Sequence, residues 1–313
     1  MDFKTGKQIF LKAKQSQMVT AATYKYYNTW LRDFFLYAMD MGAYSVEQVR
    51  PNILEGYLIH LKTNRKVRNI TINDSYRAIR AFFKFMVKNR YIDYCVTDDV
   101  QAPRIEKKMT RTFTAKEIKQ ILNSFDKTSF IGVRDYTIME TLFGTGIRKM
   151  ELCGLKLSDL NFDSGFLHVH GKGNKERLVP IGNSLSRTLR AYLTRLQEET
   201  MDNVPSTLFV TRSGAPITYS TIQSMFKRLK LNTGLKGERI SSHTWRHTFA
   251  KNYLLNGGDV FSLQKIMGHS DISTTRKYLN LNENEIKQQH DKFNPLDNLD
   301  WLIVSTLRNS VYD

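Results

Sequence analysis

Cysteine is nearly absent from this chain: Cys95 and Cys153 are the only two, far apart and each inside an apolar segment. Two such thiols exclude a disulfide framework and argue against a zinc cluster, and they fit free buried thiols in a reducing compartment. Long apolar runs are missing too. With no stretch of about 18 apolar residues and no charged-then-apolar start of leader type, the expectation is a soluble, cytoplasmic protein without a membrane partner. Acidic residues are scarce, 30 Asp and Glu against 47 Lys and Arg, which leaves a net charge of +17 and a pI near 9.7. Such a balance fits a polyanionic partner, and because the basic residues run through both halves, both are expected to meet it. What the chain does have is core material. Its 313 residues are 41% hydrophobic, with 18 Phe and 15 Tyr, which rules out wholesale disorder and is enough for two packed domains.

The first hundred residues carry helical periodicity. From Thr20 to Met41 the apolar positions Tyr24, Tyr27, Leu31, Phe34, Phe35 and Ala38 recur at three- and four-residue steps. A second helix is expected over about Ser45–Thr63, and a third over Ile72–Val87 with Tyr76, Ile79, Phe82, Phe83 and Met86 inward. The opposite face of that third helix bears Arg77, Arg80 and Lys84, the pattern of a small helical DNA-binding module, although a merely solvated face would look the same. Residues 1–100 are therefore expected to form a helical domain and the polar, aperiodic segment 101–111 a linker. Residues 112–313 then open on the capping box Thr114-Ala115-Lys116-Glu117. A helix over about Gly132–Phe143 runs into Gly144-Thr145-Gly146, after which Arg148 starts another. The period drops to two at Phe166–His170 and again at Arg177–Ile181, around the hairpin Gly171-Lys172-Gly173-Asn174-Lys175, with Leu208–Val210 as a third strand. The fold class is mainly α with a small antiparallel sheet (α+β).

Several polar residues in the second half suit phosphodiester chemistry. A tyrosine hydroxyl, with a pKa of about 10, becomes a nucleophile only when its proton is removed and its target is made electrophilic. Arg148 and Arg246 each offer a planar fork that matches two phosphate oxygens and stabilises extra charge in the transition state. Lys172 and Lys175 compete for the role of proton donor at the hairpin tip. His243 and Arg246, three apart on a helix, share a face. His243 and His247 also read as a zinc pair, but Thr244 stands where a zinc hydrolase needs Glu and no third ligand follows, so no metal and no cofactor is expected. His269 follows Gly268 in a turn, nine positions before Tyr278.

The order Gly146-Ile147-Arg148-Lys149-Met150-Glu151-Leu152, Gly171-Lys172-Gly173, His243-Thr244-Trp245-Arg246, Gly268-His269 and Tyr278 resembles the tyrosine site-specific recombinases of phage-integrase and Xer type. The likeness is strong over about residues 112–280 and only general before. It implies a helical core-binding domain and a catalytic domain that together clamp DNA. Tyr278, which the Thr275-x-x-Tyr spacing separates from Tyr253 and Tyr312, would be the nucleophile. Arg148, Lys172, His243, Arg246 and His269 would complete the catalytic set, with Glu151 in support and Lys172 protonating the leaving 5′ oxygen. Lys175 and Arg177 are assigned to phosphate contacts. The resemblance further implies a 3′-phosphotyrosyl intermediate, a Holliday junction, a homotetramer on double-stranded DNA with inverted core sites, and the option of a second recombinase or accessory partner. The tail, about 279–313, would dock on a neighbouring protomer, and short core sites without a separate arm-binding module are expected. The competing readings are a type IB topoisomerase, which would relax any supercoiled plasmid, and a non-catalytic DNA-binding protein, which would tolerate loss of Tyr278.

Overall fold

The computed structural model describes residues 1–104, 111–171, 175–200, 205–235, 240–269, 271–276 and 283–293. The chain divides into two compact units, Met1–Lys108 and Met109–Asp313. Among the described residues no helix is long and apolar enough to cross a membrane.

The first unit holds α1 (Phe3–Ser16), α2 (Ala21–Asp40), α3 (Pro51–Thr63) and α4 (Asn69–Lys88). Asp2 opens α1 by accepting the Thr5 N–H at 2.9 Å, and Thr20 opens α2 by accepting from Thr23 at 3.3 Å. The single helix expected over Ser45–Thr63 is in fact a 3-10 turn, Val46–Gln48, followed by α3. Pro51 is the cause: it holds Arg50 in an extended conformation, φ −105° and ψ 160°, and is itself suited to the first helical position. Phe10, Leu31, Phe34, Leu54, Ile79 and Phe82 are fully buried, and the rings of Phe10 and Phe35 meet Phe82 edge-on at 5.6 and 5.2 Å. Tyr76 on α4 shares its hydroxyl proton between the carbonyls of Thr97 and Val100, at 3.0 and 2.9 Å. That contact draws an aperiodic segment into the core, where Cys95, Val96 and Val100 are buried. On the other side of α4, Arg77, Arg80 and Lys84 stand exposed in one stripe.

The second unit contains α5 (Ala115–Asn123), α6 (Phe130–Thr145), α7 (Lys149–Cys153), β1 (Leu160–Asn161), β2 (Phe166–His170), β3 (Glu176–Pro180), α8 (Asn183–Thr200), α9 (Tyr219–Thr233), α10 (Ser242–Leu255), α11 (Val260–Met267), α12 (Ile272–Arg276) and α13 (Glu283–Phe293). Thr114 and Glu117 close the capping box of α5, the Glu117 carboxylate accepting the Thr114 N–H at 2.8 Å. The sheet is antiparallel in the order β1-β2-β3, with Phe166 opposite Pro180 and His170 opposite Glu176. Its third strand is Leu160–Asn161 rather than the expected Leu208–Val210. The latter residues are buried but make only isolated bridges around a tight loop, Lys156 with Thr207 and Val210 with Pro216, where the proline has no N–H to extend a ladder. Trp245 lies at the centre of the core, with Phe113 and Phe143 ring centroids at 4.9 and 5.5 Å.

Candidate active site

Helix α6 ends because Gly146 adopts a left-handed conformation, φ 62° and ψ 17°. A side chain there would be strained and would also collide with Phe249, whose Cδ1 would sit 2.3 Å from a Cβ. The turn brings Arg148 to the N-cap of α7. Glu151, one turn on, accepts the Arg148 backbone N–H at 2.7 Å and its Nη1 at 2.8 Å. Main chain and side chain of Arg148 are thus held by one carboxylate, while the side chain as a whole remains 43% exposed. Its Nη2 also donates to the Gly268 carbonyl at 3.3 Å.

Arg177 was expected on a phosphate, and its guanidinium turns inward instead. From β3 it grips both oxygens of Glu151, Nη1 to Oε1 at 3.0 Å and Nη2 to Oε2 at 2.8 Å, and donates Nε to the Ile266 carbonyl at 2.7 Å. The physical reason is burial. The Glu151 side chain is only 4% exposed, and a carboxylate so placed needs a paired charge. Burial pushes that carboxyl upward, but hydrogen bonds from Arg177 and Arg148 outweigh it and hold the group below the usual carboxylate range. The sequence carried no signal for this pairing, which spans 26 residues and depends on how β3 lies against α7.

Arg246, on α10, is buried. It donates to the Gly146 carbonyl through Nη1, and through Nη2 to the Met267 carbonyl at 2.6 Å and His269 Nε2 at 2.9 Å. These bonds tie α10 to the turn before Arg148 and to the end of α11, where Gly268 is again left-handed at φ 64°. His269 makes its other ring contact with Thr275 Oγ1, Nδ1 at 2.9 Å, and Thr275 is fully buried. Because a guanidinium can only donate, Nε2 of His269 presents its lone pair and Nδ1 carries the proton. Burial first, then the charges of Arg246, Arg148 and Arg177, lower the His269 pKa to about 4. Sequence reasoning singled out Thr275 for its spacing to Tyr278 but missed its grip on the imidazole.

A stability consequence follows from that depressed imidazole. An unfolded histidine takes up its proton near 6.5 while His269 in the fold resists protonation down to about 4, so its contribution is whole above pH 6.5 and declines as pH falls through that window. In urea titrations at pH 7 and pH 4.5, His269→Gln should lose less stability on acidification than the parent chain. Equal losses would mean that His269 titrates normally.

The structure therefore brings together Arg148, Glu151, Arg246 and His269, and adds Arg177 as the clamp of Glu151. His243 lies on α10 three residues before Arg246 and is exposed. Lys175 is exposed just before β3, whereas Lys172, Tyr278 and the whole of the 279–313 tail except α13 lie outside the described residues. Arg148, Arg177 and Arg246 around a single carboxylate and a neutral imidazole leave an excess of positive charge with an open guanidinium edge, a setting for an anion such as a phosphodiester.

Comparison with known proteins agrees. The model of the phage integrase family matches residues 111–285. The tyrosine recombinase XerD of Staphylococcus haemolyticus (strain JCSC1435) is 35% identical over 218 residues, 69% of this chain and 74% of that protein. Two solved structures share the fold. The XerH recombinase in a post-cleavage complex with palindromic difH gives a TM-score of 0.71 at 19% identity, covering 89% of this chain and 82% of that one. A lambda integrase dimer bound to a COC′ core site also gives 0.71, at 18% identity over 89% of this chain and 77% of its own. The chain belongs to the phage integrase family and is a site-specific tyrosine recombinase, an enzyme that breaks and rejoins DNA strands.

Proposed function

We propose that Tyr278 is the nucleophile and that Arg148 and Arg246 hold the scissile phosphodiester between them. The observation that carries this reading is the convergence of the guanidinium groups of Arg148, at the N-cap of α7, and Arg246, on α10, on the one Met267–His269 turn. The tyrosine oxygen bonds to phosphorus, the bond to the 5′ oxygen breaks, and the product is a 3′-phosphotyrosyl ester. Lys172 protonates the departing 5′ oxygen. His243 and His269 serve the proton from Tyr278 and the phosphate oxygens. The negative charge of a phosphodiester bound beside Arg148 and Arg246 would offset the guanidinium charges that depress His269, and so let its Nε2 lone pair take a proton. A 5′-hydroxyl of a partner strand then displaces the tyrosine, so the bond energy is kept and strands exchange without ATP, by way of a Holliday junction.

In this reading the partner is double-stranded DNA with inverted core sites, engaged by copies of the chain much as a lambda integrase dimer is bound to a COC′ core site, with a tetramer completing the exchange. The α4 stripe of Arg77, Arg80 and Lys84, together with Lys175, supplies backbone phosphate contacts in this reading, and binding should therefore weaken steeply with salt. Residues 1–100 act as the core-binding domain and the work is done inside the cell. The phosphate charge is met by arginines, so the chemistry requires no metal.

The test is a denaturant-resistant protein–DNA adduct. Purified protein and its Tyr278→Phe variant are incubated, with and without EDTA, with nicked and supercoiled DNA carrying candidate core sites. An adduct with the parent chain and none with Tyr278→Phe is the expected outcome. An adduct that survives in Tyr278→Phe removes that residue from the chemistry, and cleavage that disappears on adding EDTA sinks the metal-free scheme.

A further inference from the structure

The solvent face of the small sheet carries a second constellation, apart from the Arg148, Glu151, Arg246 and His269 cluster. His168 and His170 alternate along β2 and so point to the same side, with ring centroids 4.5 Å apart. Asp159 precedes β1, and Glu176 lies directly across from His170 on β3. His170 touches carboxylates with both ring nitrogens, Nε2 at 3.2 Å from Asp159 Oδ1 and Nδ1 at 3.1 Å from Glu176 Oε1. His168 Nε2 is 3.0 Å from Glu176 Oε2.

A neutral imidazole has one N–H and one lone pair, so it satisfies only one of two acceptor-only carboxylates. The cluster requires positive charge at its centre, and a second proton on His170 or a bound cation would supply it. Asp159 and Glu176 bring two carboxylates against two imidazoles, a donor set whose charge one divalent ion suits. The donor atoms of Asp159, His168 and His170 already lie within 4.8 Å of one another. A tetrahedral ion with ligands at about 2.0–2.2 Å needs separations of roughly 3.3 Å, so modest side-chain rotation closes the set. The buried carboxylate is also preorganised. Asp159 Oδ2 accepts the Lys156 N–H at 2.8 Å, which leaves Oδ1 facing the histidines, the outer-shell support that a metal-binding carboxylate commonly has.

We propose that His168, His170 and Asp159 form a site for a divalent transition ion of the zinc class, with Glu176 holding Nδ1 of His170 from outside and so freeing the Nε2 lone pair for the ion. Imidazole and carboxylate donors together select such an ion over magnesium or calcium, which prefer all-oxygen shells. The ion would join Asp159 to the two histidines of β2, and through the His170–Glu176 bond to β3, and so stiffen the base of the β2–β3 hairpin, whose connecting segment begins at Gly171 and includes Lys172. It takes no part in the chemistry at phosphorus. Its place is structural, and the inference stands apart from the assignment of the nucleophile.

The experiment titrates metal-free full-length protein with Co²⁺, reads the visible ligand-field band, and displaces the cobalt with Zn²⁺. One equivalent should saturate the band, and His168→Ala and His170→Ala should each weaken binding by at least roughly 10–100-fold, the loss typical even for outer-shell partners. Amide hydrogen exchange over residues 166–180 should slow with Zn²⁺ in the parent chain and not in either variant. Because His168 pairs only with the exposed Glu176 and leaves the buried Asp159 its His170 partner, His168→Ala should melt with the parent chain in EDTA, so its failure to bind is not a failure to fold. Absence of saturable binding, or unchanged Co²⁺ affinity in the His168→Ala/His170→Ala double variant, overturns the proposal and leaves a protonated His170 between two carboxylates.

Discussion

Arg148→Gln should lower strand cleavage by about 10²–10³-fold while leaving the melting temperature almost unchanged. The magnitude is that of one charge-stabilising donor removed from a transition state. Stability is spared because the Arg148 side chain is 43% exposed and its ion pair with Glu151 is partly solvated, where such pairs are worth about 0–1 kcal/mol. The backbone N–H of residue 148 would still cap onto Glu151, and Arg177 would still pair that carboxylate. Arg246→Lys should behave differently. A lysine keeps the charge but cannot span the Gly146 and Met267 carbonyls and His269 Nε2 together, so activity and stability should fall in parallel. Single-turnover cleavage of a nicked site, measured beside thermal melts, separates the two. Cleavage by Arg148→Gln within tenfold of the parent would place the scissile phosphate elsewhere.

Glu151→Ala should be the most damaging substitution in the site, and through the fold rather than through contact with DNA. Removing one partner of a buried charge pair costs about 3–5 kcal/mol, because the remaining charge is left without compensation. Here the stranded groups are Arg177, whose side chain is 13% exposed, and the Arg148 N–H at the start of α7. Chemical denaturation of the parent and the variant reads the loss directly. Arg177→Gln is the companion. If Arg177 positions Glu151, this variant should lose stability and cleavage while the salt dependence of DNA binding keeps its slope. A slope reduced by about one unit with full stability would restore Arg177 as a phosphate contact.

Much of the fold was legible in the sequence, and the reasons are local. The inward residues of α2 and α4 recur at helical spacing, the Thr114 and Glu117 pair announces α5, and the switch to period two marks β2 and β3. Failures occurred where a local pattern met a tertiary alternative. Leu208–Val210 has strand composition but was consumed by the core, while Leu160–Asn161, too short to show any period, took the sheet edge. The expected helix across Ser45–Thr63 was interrupted by one residue, Pro51.

By itself, the sequence determined the class of chemistry. The types and order of Arg148, Glu151, Arg246 and His269 limit what the site can do, because guanidinium, imidazole and carboxylate have fixed charges, donors and acceptors. Only the tertiary structure decided which of these groups work on one another. Arg177, basic and on a strand beside the hairpin, reads from sequence as a surface cation. Folding placed it against a buried carboxylate 26 residues away, where desolvation makes pairing obligatory. The same holds for His269, whose tautomer is set by Arg246 and Thr275 and whose pKa is depressed by burial and by the charges of Arg246, Arg148 and Arg177, and for the two histidines of β2, which became a cluster once Asp159 and Glu176 closed around them. Charge is written residue by residue, but the field that each charge feels is set by what the fold brings within a few ångströms and by the water it excludes.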